Sequence, residues 1–532
     1  MRWRRRRVLL CMTLAIVMLT VQMLVCPTFC CVHVFRARER VIVIGAGIAG
    51  LAAARELSDV ANVVVLEAQD RLGGRVHTNH SLGAPVELGA VWIHRAEGNV
   101  VLDLARSFGC PTFTSENKQL AIYSLNGSRI SPRIVQRMYS HFSRVIMPRF
   151  LRRRAQLRGG RGAGDDMDMR SLLAALPEFA SVPRSYRCVI DFLLFRDVVQ
   201  DHTADLRQTS AACYDTDQYG GRGKDVVFPR GYDCIVRGLS RHLDVRTGVA
   251  GEVSALRWGS EGVVATLADG RVERADRAIV TTPLGVLKAS LGAAPQPRGA
   301  LRFEPPLPPE MRVAINRLGY GESLKVALRF PRAFWPPDAH FIGKVGGHCD
   351  AYGSARHMEF LNVARYAAGG TPVLLMETET GWARELSAMD DAQLVDTVYA
   401  ELRRAFPSAP RPDGHVIARM GANPFQRGGF SYMAPGGSHE LHRQLAAPLA
   451  GGRLLLAGEH TSAMHAGTVH GALISGRRAA AHARAALYRV DAARVSAAGE
   501  EYEAAYAERL WHTNYDGQPE SEEGEDTWDR NP

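Results

Sequence analysis

This chain of 532 residues has short, uninterrupted apolar runs near residue 40 and near residue 455. Residues 41–44 (VIVI) run directly into a glycine-rich turn, and residues 63–66 (VVVL) form a second run that ends at Glu67. Near the other end, residues 454–456 (LLL) precede a glycine-rich segment and a long stretch of helical composition. Runs of this length are typical of buried strands, so the pattern predicts an α/β fold.

The turn after the first run has the spacing G-x-G-x-x-G. Gly45 allows the tight turn, Gly47 lets the backbone approach a pyrophosphate, and Gly50 lets helix and strand pack closely. A helix that starts near Ile48 would aim its N-terminal amides at the phosphates. Glu67, at the end of the second strand, can accept hydrogen bonds from ribose hydroxyls. This order of elements predicts a Rossmann-like site for a dinucleotide cofactor.

Further motifs indicate that the cofactor is a flavin rather than a nicotinamide nucleotide. An R-x-G-G-R run at 71–75 and the segment 87–94 (ELGAVWIH) follow Glu67, and GEHT at 458–461 follows the last apolar run. With these motifs the sequence resembles the flavin-containing amine oxidase family, most closely its polyamine oxidase branch. The resemblance extends from about residue 40 to 480, with further markers at 228–232 (FPRGY) and 279–288 (IVTTPLGVLK). It implies a bound FAD.

The resemblance also implies which residues hold the cofactor. The arginine run approaches the pyrophosphate, the segment after Glu87 passes beside the flavin ring, and Val253 meets the adenine through its backbone. The amides at the start of the last helix face the pyrimidine edge of the flavin. The predicted FAD contacts are Gly45, Gly47, Gly50, Glu67, Arg71, Gly74, Arg75, Gly89, Ala90, Val91, Trp92, Val253, Glu459, Thr468 and Val469. No cysteine lies in 419–437, where the monoamine oxidase branch attaches its flavin, so the FAD is predicted to be noncovalent.

The implied reaction is oxidation of an amine. A hydride leaves the carbon beside a neutral amine for the flavin, water hydrolyses the resulting imine, and O2 reoxidises the flavin to give H2O2. Lys325 lies in an alternating stretch that predicts a strand, at the position of the family lysine that holds a water near the flavin. Its cation could stabilise charge that develops on oxygen. From the residues alone, an ordinary strand lysine facing solvent is the alternative.

His94 and two acids are the other candidates near the amine. His94 can accept a hydrogen bond from a neutral amine or take up a proton near neutral pH, although a structural hydrogen bond is the simpler interpretation. Asp197 and Asp201 lie where family members place acids that attract a second ammonium of the substrate. Charges on a helix surface are the equal alternative.

Three positions depart from the family pattern. Arg95 replaces the glycine that normally follows the W-I-H motif, which adds a cation near a site for cations. Met420 replaces a common tryptophan, and His465 replaces the tyrosine that forms one wall of an aromatic sandwich at the flavin. Such walls guide and desolvate the amine, so both positions are predicted to contact the substrate and to alter the substrate class or rate.

The family implies two interleaved domains. An FAD-binding domain is expected from 40–115, 225–290 and 420–485. A substrate-binding domain is expected from 116–224 and 291–419.

The first 39 residues have a different character. Residues 4–7 are arginines, and an uncharged, largely apolar run occupies 8–32. An 18-residue helix spans about 27 Å, close to the thickness of a bilayer core. The preceding arginines favour a cytoplasmic N-terminus, so a signal-anchor helix is predicted, with a cleaved signal peptide as the alternative. A signal anchor and a cleaved signal peptide would both direct the enzyme body into the secretory pathway. The body would then be lumenal or extracellular on an anchor, or secreted after cleavage, and glycosylation sequons at Asn79 and Asn126 agree with this location.

The charge distribution and the cysteines bear on nucleic-acid binding, metal binding and disulfide formation. The net charge of +10 is concentrated in the N-terminal arginines and in a second cluster at 144–161, whereas the tail at 497–532 is acidic and predicted to be disordered. No nucleic-acid-binding module accompanies the arginines, so no nucleic-acid partner is predicted. The nine cysteines include no C-x-x-C pair, which predicts no structural metal site and leaves disulfides and buried thiols both open.

Three functions remain from the sequence. The first is an FAD-dependent amine oxidase that acts on a small amine, polyamine-like, with O2. The second is another flavin oxidoreductase, such as an amino-acid oxidase or a desaturase-like enzyme, for which Arg95 would be the candidate carboxylate clamp. The third is a catalytically degenerate, membrane-tethered FAD-binding protein. A histone demethylase is disfavoured by the apolar segment and by the lack of an added helical module.

Overall fold

The computed structural model describes residues 38–116, 119–160, 167–214, 223–292, 295–346 and 356–487. The predicted apolar segment at 8–32 and the acidic tail at 497–532 lie outside these residues. Among the described residues, none of the helices combines the length and the apolar composition that crossing a bilayer requires.

The described residues form strands and helices, with four consecutive strands at 253–280 and only helices at 132–202. In chain order the strands are β1 (Arg40–Ile44), β2 (Asn62–Glu67), β3 (Thr78–Asn79), β4 (Val86–Glu87), β5 (Phe113–Thr114), β6 (Leu120–Tyr123), β7 (Val226–Val227), β8 (Asp244–Thr247), β9 (Val253–Gly259), β10 (Gly262–Leu267), β11 (Val272–Ala275), β12 (Arg277–Val280), β13 (Arg302–Glu304), β14 (Gly319–Tyr320), β15 (Ser323–Arg329), β16 (Phe341–Lys344), β17 (Met358–Asn362), β18 (Val373–Glu379), β19 (Gly414–Arg419), β20 (Ser431–Tyr432) and β21 (Leu454–Leu456). The α-helices are α1 (Ile48–Leu57), α2 (Val100–Ser107), α3 (Pro132–His141), α4 (Met147–Gly160), α5 (Met169–Ala174), α6 (Pro177–Ala180), α7 (Arg184–Leu194), α8 (Gln200–His202), α9 (Asp233–Ser240), α10 (Leu284–Ser290), α11 (Pro309–Arg317), α12 (Thr380–Ser387), α13 (Asp391–Ala405), α14 (Glu440–Ala446) and α15 (Val469–Leu487).

The three apolar runs of the sequence come together in one five-stranded parallel sheet of order β21-β12-β1-β2-β8. The central strand β1 is buried on both faces, because α1 and α15 pack on one face and β9, β10 and α11 pack on the other. This double coverage is why its sequence is continuously apolar. The strand order reverses beside β1, and in such sheets ligands bind at that point, beyond the carboxyl ends of the strands.

A second sheet of six strands has the order β19-β15-β18-β17-β16-β6. The long strand β15 lies between β18 and β19 and is antiparallel to both. Helices α12 and α13 cover one face through Leu324, Val326 and Leu328, and the segment around β4 covers the other through Ala327. The strand that carries Lys325 is therefore buried on both faces, although its sequence alternates.

Helices α3 to α8 follow β6 in the chain. A π turn at Phe142–Ile146 joins α3 to α4, and a second π turn at Phe195–Val199 joins α7 to α8. The second π turn carries Arg196 and Asp197, both of which reach the cavity described below. π turns of this kind occur frequently at functional sites.

The segment between β12 and β15 packs beside the nucleotide-binding sheet. Strand β13 pairs with β9, and α11 packs in the same apolar core as β1. Strand β13 thus belongs to a four-stranded sheet of order β11-β10-β9-β13, and this sheet and α11 pack against the nucleotide-binding sheet. The sequence assigned 291–419 to the substrate domain.

The sequence left open whether the cysteines form disulfides or remain thiols, and the structure contains both. Cys110, after α2, and Cys234, in α9, form a disulfide with a Cα–Cα distance of 6.0 Å. Cys188 is also disulfide-bonded, and Cys213 is a half-buried thiol. Within the described residues, no group of histidines, cysteines and acids has the arrangement of a metal site.

Candidate active site

The turn after β1 has the backbone that the glycine spacing predicts. Gly45 has φ of 106°, a left-handed conformation that favours glycine. A Cβ on Gly50 would lie 1.9 Å from the carbonyl oxygen of Gly45, so this position must be glycine for α1 to pack against β1. A Cβ on Gly47 would meet no protein atom closer than 4.0 Å. Gly47 therefore leaves open the space in front of the helix N-terminus.

Glu67 ends β2 beside this turn. Its carboxylate accepts hydrogen bonds from the backbone N–H of Ala46 at 2.7 Å and of Gln69 at 2.8 Å. Burial raises the pKa of Glu67, although these backbone bonds oppose the shift. The acid thus stands at the carboxyl end of its strand, as predicted, and also ties the two neighbouring turns together.

Arg75 and Glu459 join the first motif to the last. Arg75 Nη1 lies 2.7 Å from Glu459 Oε1 and 3.0 Å from the carbonyl oxygen of Gly429. Glu459 also accepts bonds from Ser431 Oγ at 2.5 Å and from the backbone N–H of Gly467 at 2.8 Å. Burial alone would raise the pKa of Glu459, but the charges of Arg75 and His460 and the hydrogen bonds from Ser431 and Arg75 together outweigh it and lower the pKa to about 2. Segments more than 380 residues apart are thereby held by one buried ion pair.

A single cavity of about 440 Å³ runs from this turn to the second sheet. It lies beyond the carboxyl ends of β1, β2, β12 and β21, where the strand order places a ligand site. The predicted residues that line it are Gly45, Gly47, Glu67, Gly74, Arg75, Gly89, Ala90, Val91, Trp92, His94, Asp197, Asp201, Val253, Lys325, Met420, Glu459, Thr468 and Val469.

Four predicted or suspected residues are not among the described residues that line the cavity: Gly50, Arg71, Arg95 and His465. Gly50 acts through the helix packing described above. The Arg71 guanidinium donates to the side chain of Gln69 at 3.3 Å and to the carbonyl of Leu72 at 3.4 Å, so its charge is held beside the turn. The predicted contact of Arg71 with a pyrophosphate stays a prediction.

Lys325 is buried and faces the cavity, which excludes the solvent-facing alternative. Its Nζ donates to the carbonyl oxygen of Gly89 at 2.8 Å and lies 3.1 Å from Glu377 Oε2. Glu377 is its register partner on β18, so the sheet itself fixes the pair. An ammonium carries three N–H donors, and these two contacts leave one for the cavity.

Asp197 and Asp201 face the cavity rather than a helix surface. Asp225, Glu359 and Glu377 line the same cavity. Burial raises the pKa of Asp201 to about 7, and the charges of Asp197 and Asp225 add to the shift. Several carboxylates around one enclosed space favour a ligand with more than one positive charge.

Arg196 partly neutralises this acidic wall. Its Nε lies 2.6 Å from Glu359 Oε2, and its Nη1 lies 3.2 Å from Asp197 Oδ1. Its guanidinium carbon also stands 4.5 Å from the centre of the Phe341 ring. The cation is thus already paired on two sides and packed on an aromatic face.

His94 is held beside Asp225. The ring Nδ1 lies 3.2 Å from Asp225 Oδ2, and the other carboxylate oxygen accepts the backbone N–H of Arg95 at 2.8 Å. Arg95 has φ of 43°, a left-handed conformation that favours glycine, the residue that the family pattern predicts at this position. Arg95 thus alters the backbone beside His94 rather than the lining of the cavity.

The predicted aromatic wall has a different composition. Met420 lines the cavity, but His465 packs against His470 with ring centroids 4.8 Å apart and does not border it. Phe430, between the loop after Met420 and β20, faces the cavity instead. His465 is thus not among the described residues that line the cavity, and its predicted contact with substrate stays a prediction.

The sequence interpretation missed several lining residues: Tyr139, Arg196, Asp225, Glu359, Glu377 and Phe430. One signal was available for the acids of β17 and β18. Glu359 and Glu377 interrupt strongly apolar strands, and an acid in a buried strand needs a partner or a function. Asp225 carried no such signal, since only the folded chain brings it to His94.

The lining fits FAD in its chemistry. The open face of Gly47 and the N-terminus of α1 suit a pyrophosphate, Glu67 stands where a ribose is expected, and the cavity continues to Lys325. Ligand cavities of roughly this size are typical for cofactor and substrate sites. No residue described at the cradle would block a dinucleotide.

Comparison with known proteins agrees with this geometry. The family described as flavin containing amine oxidoreductase matches residues 48–484. "Probable polyamine oxidase 4" of Arabidopsis thaliana is 32% identical over 445 residues, which cover 80% of this chain and 83% of that protein. "Polyamine oxidase 4" of Oryza sativa subsp. japonica is 33% identical over 447 residues, 81% of this chain and 85% of its own length. "Lysine-specific histone demethylase 1 homolog 3" of Oryza sativa subsp. japonica is 31% identical, but only 53% of its length is covered. The chain belongs to the flavin-containing amine oxidoreductase family and is an FAD-dependent amine oxidase similar to the polyamine oxidases.

Proposed function

We propose that the protein oxidises polyamines, in which a second ammonium lies several bonds from the nitrogen that reacts. The observation that carries the proposal is the set of carboxylates, Asp197, Asp201, Asp225 and Glu359, in the same cavity as Lys325. A monoamine has no second ammonium to place against them when its reacting nitrogen is neutral. The plant relatives named polyamine oxidases support the same substrate class.

FAD, when bound, accepts the hydride from the carbon beside the amine nitrogen and passes the electrons to O2. The residues of this chain bind and orient the substrate. Asp197 and Asp201 attract the distant ammonium, and Phe430 and Met420 exclude water from the apolar linker. His94, which lines the same cavity near Asp201, contacts the amine, and Lys325 supplies one N–H donor.

A substrate series tests the proposal. Spermine, spermidine and an N-alkyl monoamine of similar length should differ in kcat/KM by at least about a hundredfold in favour of the polyamines. Turnover that is equal for the monoamine and the polyamines would contradict the assigned substrate class, while leaving amine oxidation itself intact.

Asp201→Asn should remove a pH dependence of cation binding. Since the pKa of Asp201 is about 7, its charge is present above that pH and lost below it. A non-reacting diamine should therefore bind about tenfold more tightly at pH 8 than at pH 6 in the wild type, and with little pH dependence in the variant. Titration of the flavin absorbance measures the affinity.

Asp205→Asn is the matched control, because Asp205 follows α8 but its carboxylate caps the N–H of Arg207 outside the cavity. A pH-dependent affinity that survives in Asp201→Asn, or that disappears in Asp205→Asn, would contradict the assigned role of Asp201.

Lys325→Met should slow the reaction with O2 more than the reaction with amine. Met keeps the apolar stem but removes the buried cation, which we propose stabilises charge on oxygen as it is reduced. The expected loss is about a hundredfold in the rate at which air reoxidises chemically reduced protein, followed by stopped-flow absorbance.

Lys344→Met is a close control for the lysine. Lys344 is also a buried strand lysine, paired with Glu401 at 2.5 Å, but it does not border the cavity. Its variant removes a buried lysine cation away from the cavity, while Glu401 keeps its pair with Arg404 at 2.7 Å. Equal reoxidation rates in wild type and Lys325→Met would overturn the assignment.

An amino-acid oxidase finds less support in this site. It requires a cation placed to clamp the substrate carboxylate, and Arg95, the candidate from sequence, is not among the described residues that line the cavity. Arg196 does line it, but Glu359 and Asp197 already compensate its charge. Introducing another anion beside these acids would be unfavourable.

We also propose that the enzyme body lies in the secretory pathway, held by the apolar segment at 8–32 or released after its cleavage. The Cys110–Cys234 disulfide supports an oxidising compartment. Asn126 supports it too, because it is exposed on a turn where its Oδ1 accepts the N–H of Ser128 at 3.1 Å. Asn79 is half-buried in β3.

Expression of the full chain in a eukaryotic secretory host tests the location. Endoglycosidase treatment should increase the gel mobility of the wild type and of Asn79→Gln, and should leave Asn126→Gln nearly unchanged. A wild-type chain that carries no N-glycan would contradict the lumenal placement.

A further inference from the structure

We infer that Glu379 is a buried proton donor for the reduction of dioxygen, and that Ser323 passes its proton into the cavity. The inference rests on the proposed transfer of electrons to O2, and it extends that proposal by naming the source of one proton. Dioxygen takes two electrons and one proton from the reduced flavin when it becomes H2O2, so one further proton must be supplied. An acid joined to the cavity by a short relay can supply it.

Glu379 lies behind the cavity wall, at the end of β18. It is 1% exposed and is not among the described residues that line the cavity. The strand register places it opposite Ser323 of β15, whose Oγ donates to Glu379 Oε1 at 3.0 Å. Ser323 is equally buried but does line the cavity. One hydrogen bond thus links the carboxyl group of Glu379 to a residue of the cavity wall.

The pair lies beside Lys325 on the same face of the second sheet. Because side chains alternate along a strand, Ser323 and Lys325 point to one side of β15. Their register partners, Glu379 and Glu377, point to the same side of β18. Residues two apart on a strand are separated by about 6.6 Å, so one water between the two side chains can pass the proton on. The proton thus enters the cavity beside the cation that we propose stabilises charge on oxygen.

The surroundings of Glu379 favour its neutral form. In the part of the chain that the structure describes, its second carboxyl oxygen, Oε2, has no hydrogen-bond partner. Glu379 occupies the N-cap position of α12, but its side chain makes no capping bond. Burying a carboxylate that is only partly hydrogen-bonded is costly, and protonation removes the charge. The geometry therefore favours a carboxylic acid that holds its proton.

The charged groups that face Glu379 come from β18, from β15 with the residue before it, and from α12. Glu377 shares the strand of Glu379, Lys325 lies on β15, and Glu322 precedes β15. Arg384 of α12 acts on Glu322. Burial raises the pKa of Glu379 well above its ordinary value, and the charges of the two other acids add to the shift. The lysine charge and the serine hydrogen bond oppose the shift but do not cancel it.

The transfer needs no reactant beyond those of amine oxidation. A hydroxyl can donate and accept, so the Ser323 hydroxyl can turn toward the cavity and accept from the protonated acid. The O–H bond of Glu379 breaks, its proton goes to Ser323 Oγ, and the serine proton goes to the reduced oxygen. The products are H2O2 and the carboxylate of Glu379. The proton that the substrate ammonium releases on becoming the neutral, reactive amine restores the acid.

Infrared spectroscopy of the full-length holoenzyme tests whether Glu379 holds a proton. A protonated carboxylic acid has a carbonyl stretch above the amide I band, and this stretch shifts in D2O. At neutral pH the difference between wild type and Glu379→Gln should contain one such band. Ser323→Ala removes the relay but not the acid, so it should keep the band. Glu385→Gln is the control and should keep it too, because Glu385 is exposed and pairs with Arg356.

Stopped-flow reoxidation tests the relay. The holoenzyme is reduced chemically without O2 and then mixed with aerated buffer. Glu379→Gln and Ser323→Ala should both reoxidise about a hundredfold more slowly than the wild type, and Glu385→Gln at the wild-type rate. The wild-type rate should fall as the pH rises through the pKa of Glu379, because only the protonated acid donates. Both slow variants should lack this pH dependence.

An infrared difference without a carboxylic acid band would show that Glu379 is ionised and would overturn the inference. Reoxidation at the wild-type rate in either Glu379→Gln or Ser323→Ala would overturn the relay. Because the flavin is reduced chemically, neither measurement needs turnover of an amine. These outcomes are therefore distinct from a failure of the wild type to oxidise polyamines.

Discussion

Gly47→Val should yield a folded protein that does not retain FAD. Gly47 precedes α1 in an extended conformation that any residue adopts, with φ of −73° and ψ of 178°. Its Cβ would meet no protein atom closer than 4.0 Å, so the added side chain fills only the space assigned to the pyrophosphate. We expect affinity for FAD to fall at least about a hundredfold, or roughly 2.7 kcal/mol, measured by flavin release on dialysis.

Two neighbouring substitutions make this result specific. Gly50→Ala places its Cβ 1.9 Å from a backbone oxygen and should prevent folding rather than cofactor binding alone. Gly381→Ala, in α12 where a Cβ meets nothing within 4 Å, should be neutral or slightly stabilising. A Gly47→Val protein that purifies with a full complement of FAD would show that the cradle lies elsewhere.

Glu459→Gln should destabilise the protein by about 3 kcal/mol and release FAD. The change leaves the half-buried Arg75 guanidinium without its buried counter-charge, and removing one partner of such a pair is costly even where the pair itself adds little. Glu459 also accepts from Ser431 and Gly467, so the loss loosens three segments together. Chemical denaturation of the holoenzyme measures the change.

The pH dependence of stability has a defined direction. The folded-state pKa of Glu459 is about 2, below the ordinary 4.5, so its contribution is complete above pH 4.5 and is lost as the pH falls toward 2. Glu459→Gln should flatten this part of the curve. Glu440→Gln is the control, since its pair with Arg443 is exposed and should matter little. Equal stability losses in both variants would contradict the structural role of the buried pair.

The nucleotide-binding half of the site could be read from the sequence because its geometry is local. Gly45, Gly47 and Gly50 lie within six residues, and the strand before them and the acid after them belong to one βαβ unit. The backbone conformation of such a unit depends on residues that are close together in the sequence. The resemblance then located Lys325 and Glu459, which the sequence alone would have left as ordinary charges.

The substrate half depends on contacts between distant segments. Asp225 meets His94 across 131 residues, and Arg196 meets Glu359 across 163. The local sequence around Asp225 does not predict its contact with His94, because a short strand and a turn of the folded chain position Asp225. Phe430 lines the cavity although the sequence did not single it out, whereas His465, a position matched by sequence, is not among the described lining residues.

Anaerobic mixing of the purified holoenzyme with spermine and spermidine tests the central claim most directly. A cavity that joins the FAD cradle to a wall of carboxylates predicts that a polyamine bleaches the yellow flavin absorbance without O2, and that air restores it with release of H2O2. A yellow protein whose absorbance none of these amines changes would contradict the assignment of this cavity to polyamine oxidation.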